Sequence, residues 1–363
     1  MITIKNQTQH QIINKIWIKD RFTRHELSQE LHLNRSTISR SLEGLMEQSL
    51  ILKDSIQNPG EQGGRKTEVL KLNENAFKMM AISIVNDRIL ALLLNIKGQI
   101  IQQYAFNDQV HEKNIVEEIE KAFHEFEDYR KEILAITISM PGIIDSQHGI
   151  IQFSYDLNIK NMPLKEWIEK KWGIFTYIEN DANAGAAAYL FQSRMKHDNL
   201  IYYMFSFPTE FKTYGGIGAG IVLNKSIYKG SRSAAGEIIL DNSWLYNEEY
   251  SLHAKDLGGY RYPSKNIPQI IEDMINNLIN RIIVVSTLLD PDKIILGGDI
   301  TDFSDSVISH LKQKIITELN FSASESFIEI DTSGLNNIAL GAAVSFLNQF
   351  FMNYEWALTI LER

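Results

Sequence analysis

The sequence predicts an α/β protein in two parts, a winged helix-turn-helix over residues 1–72 and a two-lobed body over residues 73–363. Three observations carry that expectation. The first is a pair of amphipathic helical patterns between Thr23 and Ile51, separated by a break at Leu33–Asn34. The second is charge: residues 1–72 hold eleven Lys and Arg against eight Asp and Glu, whereas the remainder holds 25 against 37. A basic head on an acidic body, within a net charge of −9, suits a protein that touches an acidic polymer at one end. The third is texture from Ala76 onward, where short apolar runs and helical stretches alternate twice in comparable order.

In the head, Ile12, Ile13, Ile16 and Trp17 form one apolar stripe of a supporting helix between Gln9 and Asp20. Leu27, Leu31 and Leu33 belong to the first helix of the pair and its turn, while Ile38, Leu42, Leu45 and Met46 recur at helical spacing in the second. Asn34 stands at a favourable N-cap. From there Arg35, Ser36, Thr37, Ser39 and Arg40 face away from the apolar stripe. A helix whose first turns carry short hydrogen-bonding side chains and arginines suits the DNA major groove. An ordinary solvated face has the same composition, so direction alone does not establish base contact. Leu50–Leu52 and Val69–Leu72 then predict two strands around a polar tip at 57–66. There Gly63 and Gly64 precede Arg65 and Lys66, and a flexible wing of Gly64, Arg65 and Lys66 could reach phosphates or the minor groove.

In the body, Met79–Val85, Ile89–Ile96 and Gln99–Ala105 read as an antiparallel meander, with turns at Asn86–Asp87 and Lys97–Gly98. A helix with Ile115, Ile119, Ala122, Phe123 and Phe126 on one face follows, then a strand at Ile133–Ser139. Strands at Leu200–Phe207 and Gly220–Leu223, a helix near Ile270–Leu289 and a strand at Lys293–Leu296 give the later counterpart. Two lobes near 73–198 and 199–363, with a cleft between them, are the expected arrangement. The aromatic tail Phe350–Arg363 predicts a helix packed on its own body or a dimer mate, with a partner-binding surface as the alternative.

Composition narrows the class. The chain has 363 residues, 44% of them hydrophobic, enough for a large core. No run approaches the roughly 18 apolar residues of a membrane helix. The start, MITIKNQTQHQ, lacks the apolar stretch of a secretion signal, so a cytoplasmic protein without a membrane partner is expected. There is no cysteine, which excludes disulfides and thiolate zinc sites.

Seven segments then combine: GGRKTEVLKLN at 63–73, MPGIID at 140–145, ENDANAGAAAY at 179–189, GGIGAGIVLN at 215–224, AAGEI at 234–238, PDKIILGGDI at 291–300 and ALGAA at 339–343. In this order and spacing the chain resembles the repressor branch of the ROK family (repressors, open reading frames and sugar kinases) over nearly its full length. The resemblance implies an actin-like, sugar-kinase-like ROK domain behind the winged helix-turn-helix. It places Asp181 where the family's kinases hold the base that deprotonates a sugar hydroxyl, and Asn180 and Glu237 where sugar hydroxyls are hydrogen-bonded. Asn180 and Asp181 could also cap the alanine-rich helix that follows. Gly142 would form a wall of the same site or a plain turn. The 215–220 glycine loop and Gly297–Gly298 lie near the nucleotide in the kinases; here they are expected to serve as fold-preserving turns.

The chain departs from the family where phosphate chemistry resides. The kinases' Asp-x-Gly-x-Thr loop appears as Ser83-Ile84-Val85-Asn86-Asp87. The acid is lost, bulk replaces glycine, and a carboxylate faces the place of a phosphate. The histidine of Gly-Glu-Ile-Gly-His has become Leu240, and residues 244–259 lack the zinc-binding cysteines. Glu248, Glu249 and His253 match no standard zinc spacing and are expected in a solvated loop. The expectation is a non-enzymatic ROK-type repressor without cofactor or metal, acting on carbohydrate-related genes. It would bind double-stranded DNA as a homodimer or dimer of dimers and answer to a sugar, a sugar phosphate or a protein partner. A sugar kinase with an appended DNA-binding domain, and a regulator controlled by protein contact alone, are the alternatives.

Overall fold

Each of the head's helices starts where a short polar side chain can cap it. Helix α1 (Gln7–Lys19) is capped by Asn6 and followed by strand β1 (Arg21–Thr23). Helix α2 (Arg24–Glu30) opens with a capping box, in which Thr23 Oγ1 accepts from Glu26 N at 3.2 Å and Glu26 Oε2 accepts from Thr23 N at 2.7 Å. Helix α3 (Arg35–Glu47) is capped by Asn34, and β2 (Ile51–Gln57) and β3 (Thr67–Leu72) follow. The strands form an antiparallel sheet in the order β1-β3-β2, longer than the apolar runs alone predict because polar residues such as Lys53, Ser55 and Glu68 continue the ladder. The computed structural model describes residues 3–57, 67–85, 87–206, 216–238, 269–302, 305–319 and 325–362.

The first body sheet contains β4 (Lys78–Val85), β5 (Arg88–Asn95), β6 (Ile100–Asn107), β7 (Ile133–Met140) and β11 (Phe175–Asn180), ordered β11-β7-β4-β5-β6. The meander expected for β4, β5 and β6 is antiparallel, and β7 joins β4 in parallel. Every residue of β4 is buried, because alternate side chains feed different cores. Met80, Ile82 and Ile84 pack toward α4 (Ile115–His124) and α5 (Leu164–Trp172), whereas Met79 and Ala81 face the opposite side. A small sheet of β8 (Ile143–Asp145), β9 (Ile150–Ser154) and β10 (Ile159–Met162) flanks this lobe.

Helix α6 (Asp181–Gln192) leads to the second sheet, formed by β12 (Leu200–Ser206), β13 (Gly216–Leu223), β14 (Ser226–Ile227), β15 (Glu237–Ile238), β16 (Lys293–Gly298) and β17 (Ile328–Ile330). Helices α7 (Gln269–Leu289) and α8 (Asp305–Leu319) share a core with Tyr203, Phe205, Ile294 and Leu296 on one face, and α6 packs against Tyr202, Met204 and Ile295 on the other. Among the described residues no helix is long and apolar enough to cross a membrane.

Chain order and packing part company at the end. Helices α9 (Leu335–Met352) and α10 (Tyr354–Leu361) come last in the chain, where sequence order predicts them in the second lobe. They pack instead on the first sheet, α6 and the head. The reason is that α9 is apolar on nearly every side, so no single face would suffice to bury it. The tail therefore packs on its own body.

Head and body share one hydrophobic core. Ile12, Ile16, Leu42 and Leu70 of the head belong to the same cluster as Leu92, Phe346, Phe350 and Ile360 of the body. Trp17 lies 4.7 Å from Phe351 and stacks at 5.8 Å on Phe191, ring centre to ring centre, and its Nε1 donates to Asn348 Oδ1 at 3.2 Å. Asn14 Nδ2 donates to the Phe351 carbonyl at 3.0 Å, and Lys97 pairs with Asp20. His10 is buried, with Nε2 3.1 Å from the Phe350 carbonyl. Desolvation lowers its pKa, only partly offset by that hydrogen bond.

A histidine whose folded pKa lies below its unfolded value contributes stability that is complete above about pH 6.5 and lost as pH falls through the folded value. His10→Asn should therefore be less stable than wild type at pH 7.5 in urea unfolding, and the gap should narrow toward pH 5. A gap independent of pH would mean that His10 does not titrate with unfolding.

Candidate nucleic-acid face and ligand cleft

The Asn34 cap decides how the first turn of α3 is presented. Asn34 Oδ1 accepts from Thr37 N at 2.9 Å and from the Ser36 and Thr37 hydroxyls, each at 2.8 Å. Arg35, Ser36 and Arg40 are exposed, whereas Thr37 and Ser39 are half-buried. The five residues expected to project together thus divide: two guanidinium groups face solvent, while the Ser36 and Thr37 hydroxyl protons are turned back to the cap. Arg35 Nη2 lies 3.5 Å from His25 Nδ1. Exposed His25, at the start of α2, therefore joins the same face. Helical spacing in α2 marks its apolar stripe and carries no signal for His25. Gly64, Arg65 and Lys66 lie outside the described residues.

The second constellation grows from the end of β11. Asn180 caps α6, its Oδ1 accepting from Asn183 N at 3.0 Å, while its Nδ2 donates to the Gly142 carbonyl at 3.0 Å. The capping alternative is thus realised, and one amide hydrogen of Asn180 is left beyond these two bonds. Asp181 is buried, and its Oδ1 accepts from Ala182 N at 2.8 Å. Gly142 has φ +122°, and a Cβ there would run into the Phe153 carbonyl and Ser154. The structure therefore brings Gly142, Asn180 and Asp181 to one corner.

Glu237 comes from the second lobe at the start of β15. It is exposed at the cleft, where local desolvation and the Asp156 carboxylate push its pKa up. Gly236 before it has φ +88°, its carbonyl accepts from Ala219 N at 2.8 Å, and a Cβ would overlap the Ala219 carbonyl. Only glycine fits this approach without backbone movement.

Glu179, Tyr177, Ser146 and Lys229 form a polar network beside this corner that the motif reading did not single out. Lys229 Nζ donates to Glu179 Oε2 at 2.6 Å, and Glu179 is 1% exposed. The period-two alternation of β11 places Tyr177 and Glu179 on one face, so half of the network was legible. Lys229, fifty positions away, was not.

Gly220, Gly297 and Gly298 serve packing. A Cβ on Gly220 would enter the Ala182 carbonyl, one on Gly297 would strike Tyr202, and Gly298 has φ +73° against the Phe205 carbonyl. Ser83 is fully buried, and Val85 joins Ala182, Ala184, Tyr202 and Ile338 in one apolar cluster. Arg88 spans from the first lobe to Asp299 of the second at 2.5 Å. At Ser83 and Val85 the strand supplies neither the acid nor the glycine of the Asp-x-Gly-x-Thr phosphate loop. Without cysteine a thiolate zinc site is excluded, and among the described residues no three potential ligands cluster. Leu240, Glu248, Glu249 and His253 lie outside the described residues.

Residues 79–238 match the ROK family profile. This chain carries a ROK family domain. Over 241 residues it is 28% identical to the xylose repressor of Bacillus subtilis, covering 65% of this chain and 60% of that protein, so the match spans less than two thirds of the relative. The crystal structure of a ROK family transcriptional regulator, a homolog of the E. coli MLC protein, superposes with TM-score 0.70 at 17% identity. It covers 98% of this chain and 99% of that one. The ROK hexokinase from Thermus thermophilus superposes with TM-score 0.58 at 17% identity, covering 74% of this chain and 97% of the hexokinase. At such identities these likenesses establish the mixed α/β, sugar-kinase-like fold of the ROK domain, a frame common to regulators and kinases.

Gly236→Ala should destabilise the ROK domain by about 3 kcal/mol, because it combines a left-handed backbone with a carbonyl overlap. Urea unfolding checks this. A loss below about 0.5 kcal/mol would show that the hairpin carrying Glu237 moves without cost.

Proposed function

We propose that this chain is a ROK-type DNA-binding transcriptional regulator, a repressor of carbohydrate-related genes, that responds to a sugar-like ligand and lacks kinase activity. The observation that carries the reading is the outward face of α3: Arg35, Ser36 and Arg40 are exposed on a head whose core is continuous with the ROK domain. The three helices and hairpin of residues 3–72 are read as a winged helix-turn-helix, with α3 for the major groove and Gly64, Arg65 and Lys66 for the wing. Thr37 and Ser39 would contribute contacts after modest side-chain rotation. A homodimer or dimer of dimers would place two such heads on a palindromic site, with half-sites about one helical turn or a multiple apart. The name of the Bacillus subtilis relative supports both the repressor reading and a pentose as the first effector to try.

The ligand is assigned to the corner of Gly142, Asn180, Asp181 and Glu237, whose amide and carboxylates suit sugar hydroxyls. A ligand shifts the heads only if its affinity differs between two arrangements of them. Without a phosphate loop, Asp181 has no activated phosphoryl group to direct a hydroxyl toward, so the kinase alternative is disfavoured by Ser83 and Val85.

Selection of bound genomic fragments by the purified protein, repeated with D-xylose, other sugars and sugar phosphates, tests the regulator reading. A discrete set of fragments released by one sugar is expected; uniform binding of all fragments would sink it. Arg35→Ala or Arg40→Ala should cost about 1–3 kcal/mol of binding and relax preference at one base pair if the side chain reads a base. Arg65→Ala should weaken binding with a shallower salt dependence if it touches phosphate. Sugar-dependent ATP turnover abolished by Asp181→Asn would instead establish the kinase.

A further inference from the structure

Glu179 carries a buried carboxylate whose surroundings come from both lobes. Its Oε1 accepts from Ser146 Oγ at 3.2 Å, Asn180 N at 3.1 Å and Asn183 Nδ2 at 3.4 Å. Its Oε2 accepts from Tyr177 OH at 2.8 Å and Lys229 Nζ at 2.6 Å. Ser146, Tyr177 and Asn180 belong to the first lobe and Asn183 to α6, which packs on the second sheet, while Lys229 follows β14 in the second lobe. Lys229 Nζ also donates to Ser146 Oγ at 2.9 Å and Tyr177 OH at 3.3 Å. Each hydroxyl thus accepts from the ammonium and donates to the carboxylate, a proton arrangement in which every bond is satisfied.

Two consequences meet here. On one side, Glu179 binds the backbone of Asn180 and the side chain of Asn183, the residues that build the capped end of α6. On the other, the loop after Lys229 is closed on itself, with Ala235 N donating to the Lys229 carbonyl at 3.1 Å and Glu237 N to the Ala234 carbonyl at 3.4 Å. A closed loop moves as a unit, so anchoring Lys229 also anchors Glu237. Burial alone would drive Lys229 toward neutrality, but Glu179 and Tyr177 together outweigh it and hold the ammonium charged, above the ordinary lysine range. Removing Lys229 would strand the Glu179 carboxylate, 1% exposed, in a dry setting, whereas Lys229 itself is only half-buried.

We propose that Lys229 is a positioning residue of the cleft: its ion pair with Glu179 clamps the Glu237 loop of the second lobe onto the Asn180 end of α6. It thereby sets affinity for a neutral polyol without touching it. The affinity half rests on the reading of the cleft as a sugar site; the clamp itself does not. Arg88–Asp299 bridges the lobes elsewhere, so loss of Lys229 should loosen the cleft rather than separate the halves.

The test is hydrogen exchange on the free full-length protein, with D-xylose calorimetry alongside. In Lys229→Met, amides of 226–238 and 175–183 should exchange faster by about tenfold or more, while α1 is unaffected. Adding Glu179→Gln removes the stranded charge. This double variant should recover protection at 175–183 and global stability, yet keep fast exchange at 226–238 and weakened sugar binding. Unchanged exchange at 226–238 in Lys229→Met would overturn the clamp. So would a double variant that recovers both 226–238 protection and wild-type sugar affinity, since Lys229 would then only neutralise a charge. If wild type binds no D-xylose, that bears on the choice of sugar, and the exchange pattern still decides the clamp.

Discussion

Helix α9 is the element on which the rest of the molecule depends, because it is apolar almost all round and must be covered on every side. The first sheet covers one flank, α6 a second, and α1 with α10 complete the enclosure. Close approach is built in: a Cβ on Gly341 would penetrate the Ala184 carbonyl, so α9 and α6 touch backbone to backbone. A helix so enclosed cannot shift without disturbing each neighbour, since packed interiors transmit displacement rather than absorb it. The head is consequently docked onto the body through a shared core, well beyond what a linker would provide.

The same constraint gives α6 a particular place. Its N-terminal end holds Asn180 and Asp181, and near its C-terminal end Phe191 stacks on Trp17 of α1. One short rigid element therefore touches both the head and the corner proposed for the ligand. Its alanines follow from this setting, since helix α9 on one side and β12–β13 on the other leave room for little more than a methyl group. Gly185 against Tyr202 and Gly220 against the Ala182 carbonyl make the point at individual positions. Gly218 and Gly220 are thus accounted for by packing against α6, and Gly297 and Gly298 by packing against Tyr202 and Phe205 of β12.

Much of the head was legible because its determinants are local. Asn34 announces a helix start, and the burial of Leu27, Ile38, Leu42 and Leu45 follows directly from helical spacing. The cleft was legible only in part. Asn180, Asp181 and Glu237 stand inside short motifs, but the Asn180–Gly142 bond, the Asp156–Glu237 approach and the Lys229–Glu179 pair join positions far apart in the chain. His25 beside Arg35 escaped for the same reason, since two helices must first dock before their polar faces meet.

By itself the sequence determined the helices of the head, the main strands of the body, the exposed basic helix face and the departure of Ser83–Asp87 from the phosphate-loop pattern, because each depends on neighbouring residues or on side-chain type. Only the tertiary structure decided that α9 and α10 return to the first lobe, that head and body are one core, and that Lys229 reaches Glu179. Those outcomes depend on how an all-apolar helix finds cover and how a buried carboxylate finds a countercharge. Both are questions of global packing, and no local pattern encodes them.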